Sequence, residues 1–80
     1  MERKPIKGTY YKTKNAKDGL CYRVLSLNHV NTRKGYFKVK VEWYSILSGV
    51  FWGNYYGLPR HWKIPFGVFD NHESFWPRWA

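Results

Sequence analysis

The chain has one cysteine, Cys21, so it cannot form a disulfide within itself. A fold of this size without that staple must be held by packing, and a lone thiol fits a reducing, cytoplasmic compartment. Acids are scarce as well: five Asp and Glu stand against fourteen Lys and Arg, for a formal net charge of +9. Long apolar runs are also missing. The longest uncharged stretch, Trp43–Pro59, is broken by Ser45, Ser48, Asn54 and glycines, and a spanning helix needs about 20 mostly apolar residues. Gly49, Gly53 and Gly57 have a small-residue spacing, but they sit among Val50, Phe51, Trp52, Tyr55 and Tyr56, which favour strands. No membrane association is expected. Met1–Pro5 has no apolar stretch after its charges and does not read as a signal peptide.

Catalytic patterns are missing too. Cys21, His29, His61 and His72 are scattered, without the short spacings of a metal site. No glycine-rich loop precedes a helix. A lone cysteine in an apolar strand is a small packing residue rather than a nucleophile. The expectation is a protein that is not an enzyme and takes no metal or cofactor.

What is present is a division of the chain. Residues 1–40 hold eleven Lys and Arg against two acids, and residues 41–80 hold three against three. Aromatic residues run the other way, five in the first half and twelve in the second. Each large ring can bury about 150–250 Å², so seventeen of them make a compact fold of 80 residues plausible without a disulfide.

The pattern of side chains predicts strands. Residues 1–8 read as a basic, flexible arm, and residues 9–80 as one small β-barrel domain. Thr9–Lys14 is a first strand, with Tyr10, Lys12 and Lys14 on one face. Asn15–Gly19 is a turn. Leu20–Asn28 is a second strand whose apolar parity changes at Val24–Leu25, as a bulge would cause. His29–Gly35 reads as a polar loop. Across Gly35–Ser45, Phe37, Val39, Val41 and Trp43 alternate with Tyr36, Lys38, Lys40, Glu42 and Tyr44, giving a half-buried strand. Ile46–Tyr56 is apolar on both parities and reads as one bent strand or two short ones. His61–Phe69 reads as a last strand, which Pro65 confines to an edge or a bulge. Asp70-x-x-Glu73 has the spacing of a capping box, predicting one short C-terminal helical turn that Pro77 ends. The expected class is all-β: a small five-stranded antiparallel SH3-like barrel, with an OB-like barrel as the alternative.

Three candidate sites follow. The first is a basic, tyrosine-flanked sheet face of Tyr10, Lys12, Lys14, Tyr36, Lys38, Lys40 and Tyr44, widened by Lys7, Lys17, Arg23, Arg33 and Lys34. Cations beside flat rings suit a phosphate backbone with bases that can stack; a plain solvated face with lysines guarding an edge is the ordinary alternative. The second is the tail, with Phe75, Trp76, Arg78 and Trp79, which reads equally as a protein-contact surface or as a plug for the barrel. The third is an aromatic cage from Trp43, Tyr44, Trp52 and Tyr55, disfavoured because a basic surface repels a cationic ligand.

The function these features suggest is a non-catalytic accessory protein that binds DNA or RNA with low sequence specificity. The alternative is a small interaction module or inhibitor docking on an acidic protein surface through basic and Trp/Tyr residues. A ribosomal, virion or phage-accessory component fits the same composition. An uncovered edge strand would also allow a homodimer.

Overall fold

The computed structural model describes residues 3–53 and 57–80. Five strands and one short helix follow the chain in the order β1 (Tyr10–Thr13), β2 (Leu20–Asn31), β3 (Tyr36–Ser45), β4 (His61–Pro65), α1 (Phe66–Asp70) and β5 (His72–Phe75). They form one sheet in the order β4-β3-β2-β1-β5, with every neighbouring pair antiparallel. The fold is therefore small and all-β, as the alternation of side chains predicts. Among the described residues no helix is long and apolar enough to cross a membrane.

The alternating apolar positions of β3 set the inside of the sheet. Phe37, Val39 and Val41 are buried and gather with Tyr11, Tyr22, Val24, Ile64 and Phe69 into one core. Trp43, Trp62, Phe66, Leu27 and Val30 pack around it. The parity change expected in β2 is a register shift between Val24 and Ser26, and a second shift lies between Leu27 and His29. Two bulges let Val24, Leu27 and Val30 all face inward. They also let β2 continue to Asn31, through residues that read as loop from His29 onward. The turn proper is Thr32–Gly35, where Gly35 has φ 78 and its N–H reaches Asn31 O at 2.8 Å.

The sheet is rolled but not closed. β4 and β5 are its two edges, and no pairing between them occurs among the described residues. In a flat sheet four interstrand gaps would hold these edges about 19 Å apart. A five-residue helix and Asn71 connect them, and five helical residues rise only about 7.5 Å. The sheet must therefore curl around the core. Trp62 of β4 and His72 of β5 accordingly lie with ring centroids 6.2 Å apart.

Three expected elements differ. The last strand stops at Pro65, and Phe66–Asp70 is helical. The reason is packing: at spacing i, i+3, Phe66 reaches Phe37 at 4.7 Å while Phe69, fully buried, meets Tyr11 at 5.1 Å. Asp70 thus ends the helical turn rather than starting it. Residues 72–75 are strand, and Glu73 pairs with Lys12 instead of capping. Ile46–Gly53 is a loop folded back on β3 rather than a strand. It makes a single bridge, Tyr44 to Phe51, because Gly49 turns the chain at φ 75. Tyr55 and Tyr56, the end of that expected strand, lie outside the described residues.

Residues 3–8 lie along the core side. Pro5 is buried, the Arg3 guanidinium stands 4.8 Å from the Phe69 ring, and Gly8 N–H donates to Val24 O at 2.7 Å.

Candidate nucleic-acid interface

The outer face of the rolled sheet carries the residues out of phase with the core. Its two halves differ. Around Tyr10 and Tyr44 it is covered by rings; around Lys38 it is bare.

The bare half is a grid fixed by strand register. Lys38 of β3 lies directly between His29 of β2 and Lys63 of β4. Lys40 lies directly between Ser26 and His61. Tyr36 lies between Asn31 and Pro65 at the end of the sheet. Lys38, Lys63, His29 and His61 are exposed and Lys40 is half-buried. None of Lys38, Lys40 and Lys63 has an ion-pair partner among the described residues. Glu42 is the nearest acid on β3; it stands across from Arg23 and accepts a hydrogen bond from the Tyr44 hydroxyl at 3.0 Å. Like charges directly opposite on a sheet oppose pairing, by up to about 1 kcal/mol. The Lys38–Lys63 pair is therefore a cost to the fold that an anion laid across the strands would relieve.

Tyr36 is anchored at the edge of this grid. Asn31 Nδ2 donates to its hydroxyl at 3.3 Å, and Asn31 Oδ1 accepts from Lys34 N–H at 2.9 Å. One side chain thereby ties Tyr36 to the turn bearing Arg33 and Lys34, both exposed. The Lys63 ammonium lies 5.5 Å from the centre of the Tyr36 ring.

The structure gathers Arg33, Lys34, Tyr36, Lys38 and Lys40 and adds three residues that sequence reasoning missed: Lys63, His29 and His61. Lys63 was legible from parity, since His61 and Lys63 alternate with Trp62 and Ile64. Its position beside Lys38 was not, because only register supplies it. Other predicted residues lie elsewhere. Lys14 and Lys17 are exposed near the β1–β2 turn and Lys7 on the arm. Tyr10 is 8% exposed. Lys12, with a side chain 13% exposed, is bonded to Glu73 at 2.8 Å and to Ala16 O at 2.8 Å. That lysine holds the Glu73 carboxyl below its usual range, helped by the Asn15 N–H. Tyr44 packs against Tyr10 at 5.9 Å. Burial, reinforced by its bond to Glu42, pushes its hydroxyl up to about 12. The two expected stripes do meet, at Tyr10 and Tyr44, but there they are sealed rather than offered. Arg23 lies between the halves, its guanidinium 5.8 Å from the Tyr10 ring and its buried Nε without a hydrogen-bond partner among the described residues.

The seal is the tail. Trp79 stacks obliquely on Tyr44 at 5.3 Å, meets Tyr10 edge-on at 5.5 Å and donates from Nε1 to Ile46 O at 2.8 Å. Gly49 makes this possible: a Cβ there would lie 2.6 Å from Trp79. Phe75 packs on Tyr10 from β5. Trp76 touches Tyr10 at 5.7 Å yet is 72% exposed, and Arg78 is exposed. Trp79 and Phe75 thus plug the outer face, while Trp76 and Arg78 point out beside Leu47. Cys21, across from Tyr44, is fully buried, and burial pushes its thiol up to about 11.

Two members of the expected aromatic cage, Trp43 and Tyr44, do not converge. Trp43 packs inward on Tyr22 and Trp62, whereas Tyr44, the next residue, faces outward; Tyr55 lies outside the described residues. His72 is in the core, where its Nδ1 is 2.7 Å from the Tyr22 hydroxyl. His29 and His61 lie on the outer face instead.

No protein-family model, no curated protein and no solved structure matches this chain.

Proposed function

We propose that this is a non-catalytic nucleic-acid-binding accessory protein that holds the phosphate backbone on the bare half of its outer sheet face. The carrying observation is the pair of cross-strand rows, His29–Lys38–Lys63 and Ser26–Lys40–His61, without a carboxylate partner among the described residues. Lys38 and Lys40, two residues apart on one strand, and Lys63 on the next present ammonium groups on a common surface. Arg33 and Lys34 extend it past the turn. Among the described residues this half of the face offers one ring, Tyr36, and the Lys63 ammonium already stands by that ring. Binding therefore rests on phosphates more than on base stacking, and sequence specificity is low.

Fluorescence anisotropy with single- and double-stranded DNA and RNA probes over a salt series tests this. With about five phosphates neutralised, log K against log salt should fall with a slope near −4. Lys38→Gln and Lys63→Gln should each make the slope shallower by about 1. A flat salt response, or no binding to any probe at low salt, overturns the reading; an acidic polypeptide captured in place of nucleic acid does so as well.

A second reading rests on a different observation. Leu47 and Trp76, each 72% exposed, lie beside Phe75, Pro77 and Arg78 along a shallow groove. An exposed Trp next to an Arg is the composition of a protein-contact hot spot. This end of the molecule suits docking on an acidic protein surface, and Trp76→Ala would then abolish capture of such a partner in a pull-down while leaving the fold intact.

A further inference from the structure

His29 and His61 are far apart in the sequence, and the register puts both into the cationic grid. His29 is directly across from Lys38, and His61 is directly across from Lys40. Both are exposed. Histidine is the side chain whose charge ordinarily changes between about pH 5 and 8. A neutral imidazole offers an anion one N–H, and a protonated one offers two N–H groups and a full charge.

We propose that His29 and His61 are phosphate contacts of this face, and that binding of a polyphosphate backbone is coupled to proton uptake by the two of them. The inference rests on the nucleic-acid reading above and adds two residues and a proton dependence to it.

The surroundings give the sign. His29 is faced by Lys38 across the ladder, by Lys63 one strand further, and by Tyr36 and Lys40 diagonally. On its own strand the nearest charged residue of the same face is Arg23. His61 is faced by Lys40 directly, by Lys38 and Glu42 diagonally, and by Lys63 and Arg60 on its own segment. Cations dominate both neighbourhoods, and Glu42 is engaged by the Tyr44 hydroxyl. A phosphodiester chain across the grid neutralises the lysines and favours the imidazolium. Since phosphodiesters and lysines keep their charge throughout this range, the imidazoles are the groups that respond. Coupling is reciprocal: if bound phosphate favours the protonated rings, protonating the rings favours bound phosphate. Affinity therefore rises as pH falls.

The test uses the full chain and a phosphodiester oligonucleotide. Anisotropy titrations at about pH 8 and about pH 5.5 should show roughly tenfold tighter binding at the lower pH, with a salt slope steeper by up to about 2. His29→Gln plus His61→Gln should remove that gain, so that the affinity ratio between the two pH values falls to about one. Both residues are exposed, and near-ultraviolet circular dichroism at each pH verifies the fold. Binding that keeps its salt slope but does not change with pH overturns the proton coupling and leaves the phosphate reading standing. A pH response that survives in the double variant overturns the assignment of these two residues. Absence of binding at both pH values overturns the nucleic-acid reading and this inference with it.

Discussion

The two halves of the outer sheet face are built on the same strands and use the same parity, yet they have opposite fates. At the Tyr44 end, Tyr10 and Tyr44 are roofed by Trp79, Phe75 and Phe51. The cations there are absorbed: Lys12 by Glu73, Arg23 by the Tyr10 ring. At the Lys38 end, nothing covers the strands among the described residues, and three lysines stand without a carboxylate. The first half resembles a second, smaller core, whereas the second bears charge that the fold leaves uncompensated. A stripe of alternating Lys and Tyr is therefore not one kind of surface. Whether it becomes structure or interface depends on what folds over it.

The largest effect should come from breaking the roof. Trp79→Ala removes a ring wedged on Tyr10, Tyr44 and Gly49 and should lower unfolding stability by about 2–4 kcal/mol in urea titration. Trp76→Ala, only three residues away in sequence but exposed, should stay within about 0.5 kcal/mol. Equal losses for the two would erase the distinction between plug and outward residue.

The bare half should behave in the opposite sense. Lys63→Glu replaces a like-charge pair across β3 and β4 by an opposite-charge pair. It should raise stability by about 0.2–1 kcal/mol in the same titration while weakening oligonucleotide binding. A variant more stable and less able to bind is the signature of a surface shaped for a partner. A loss of stability instead would mean that Lys63 serves the fold through its contact with the Tyr36 ring.

A smaller effect separates the inner histidine from the outer two. Burial, with Arg3 adding to it, holds His72 below its ordinary range. Since the folded state resists the charged ring more than the unfolded state does, the unfolded chain binds more protons. The stability from a neutral His72 is complete above the ordinary imidazole range and declines as pH falls through and below it. The urea midpoint should therefore drop from about pH 7 to about pH 5. In His72→Phe that part of the drop should vanish, whereas His29→Gln plus His61→Gln should leave it in place.

Much of this was legible in the order of residues. The alternation from Phe37 to Trp43 assigns the buried side of β3, and the parity break at Val24–Leu25 marks the bulge. Asp18-Gly19 marks the first turn. Local pattern was not enough where tertiary contacts overrode it. Phe66–Asp70 has strand-like composition, yet two phenylalanines three apart reach the core best from a helical turn. Asp70-x-x-Glu73 has the letters of a cap, but Glu73 meets Lys12 from β1, 61 positions away. His29 reads as loop because the second bulge that returns β2 to register leaves no mark in composition.

The sequence by itself determined a small all-β protein, the inward residues of its central strand, and an excess of positive charge carried by the first half. These depend on neighbours one or two positions apart, which the covalent chain holds in order. Which cations stand together and which aromatics cover them was decided only in three dimensions. Lys38 and Lys63 are brought side by side by β-ladder register, and Trp79 reaches Tyr10 and Tyr44 because Gly49 leaves room for its ring. Register and packing act between residues far apart in the chain, so no local pattern could state them.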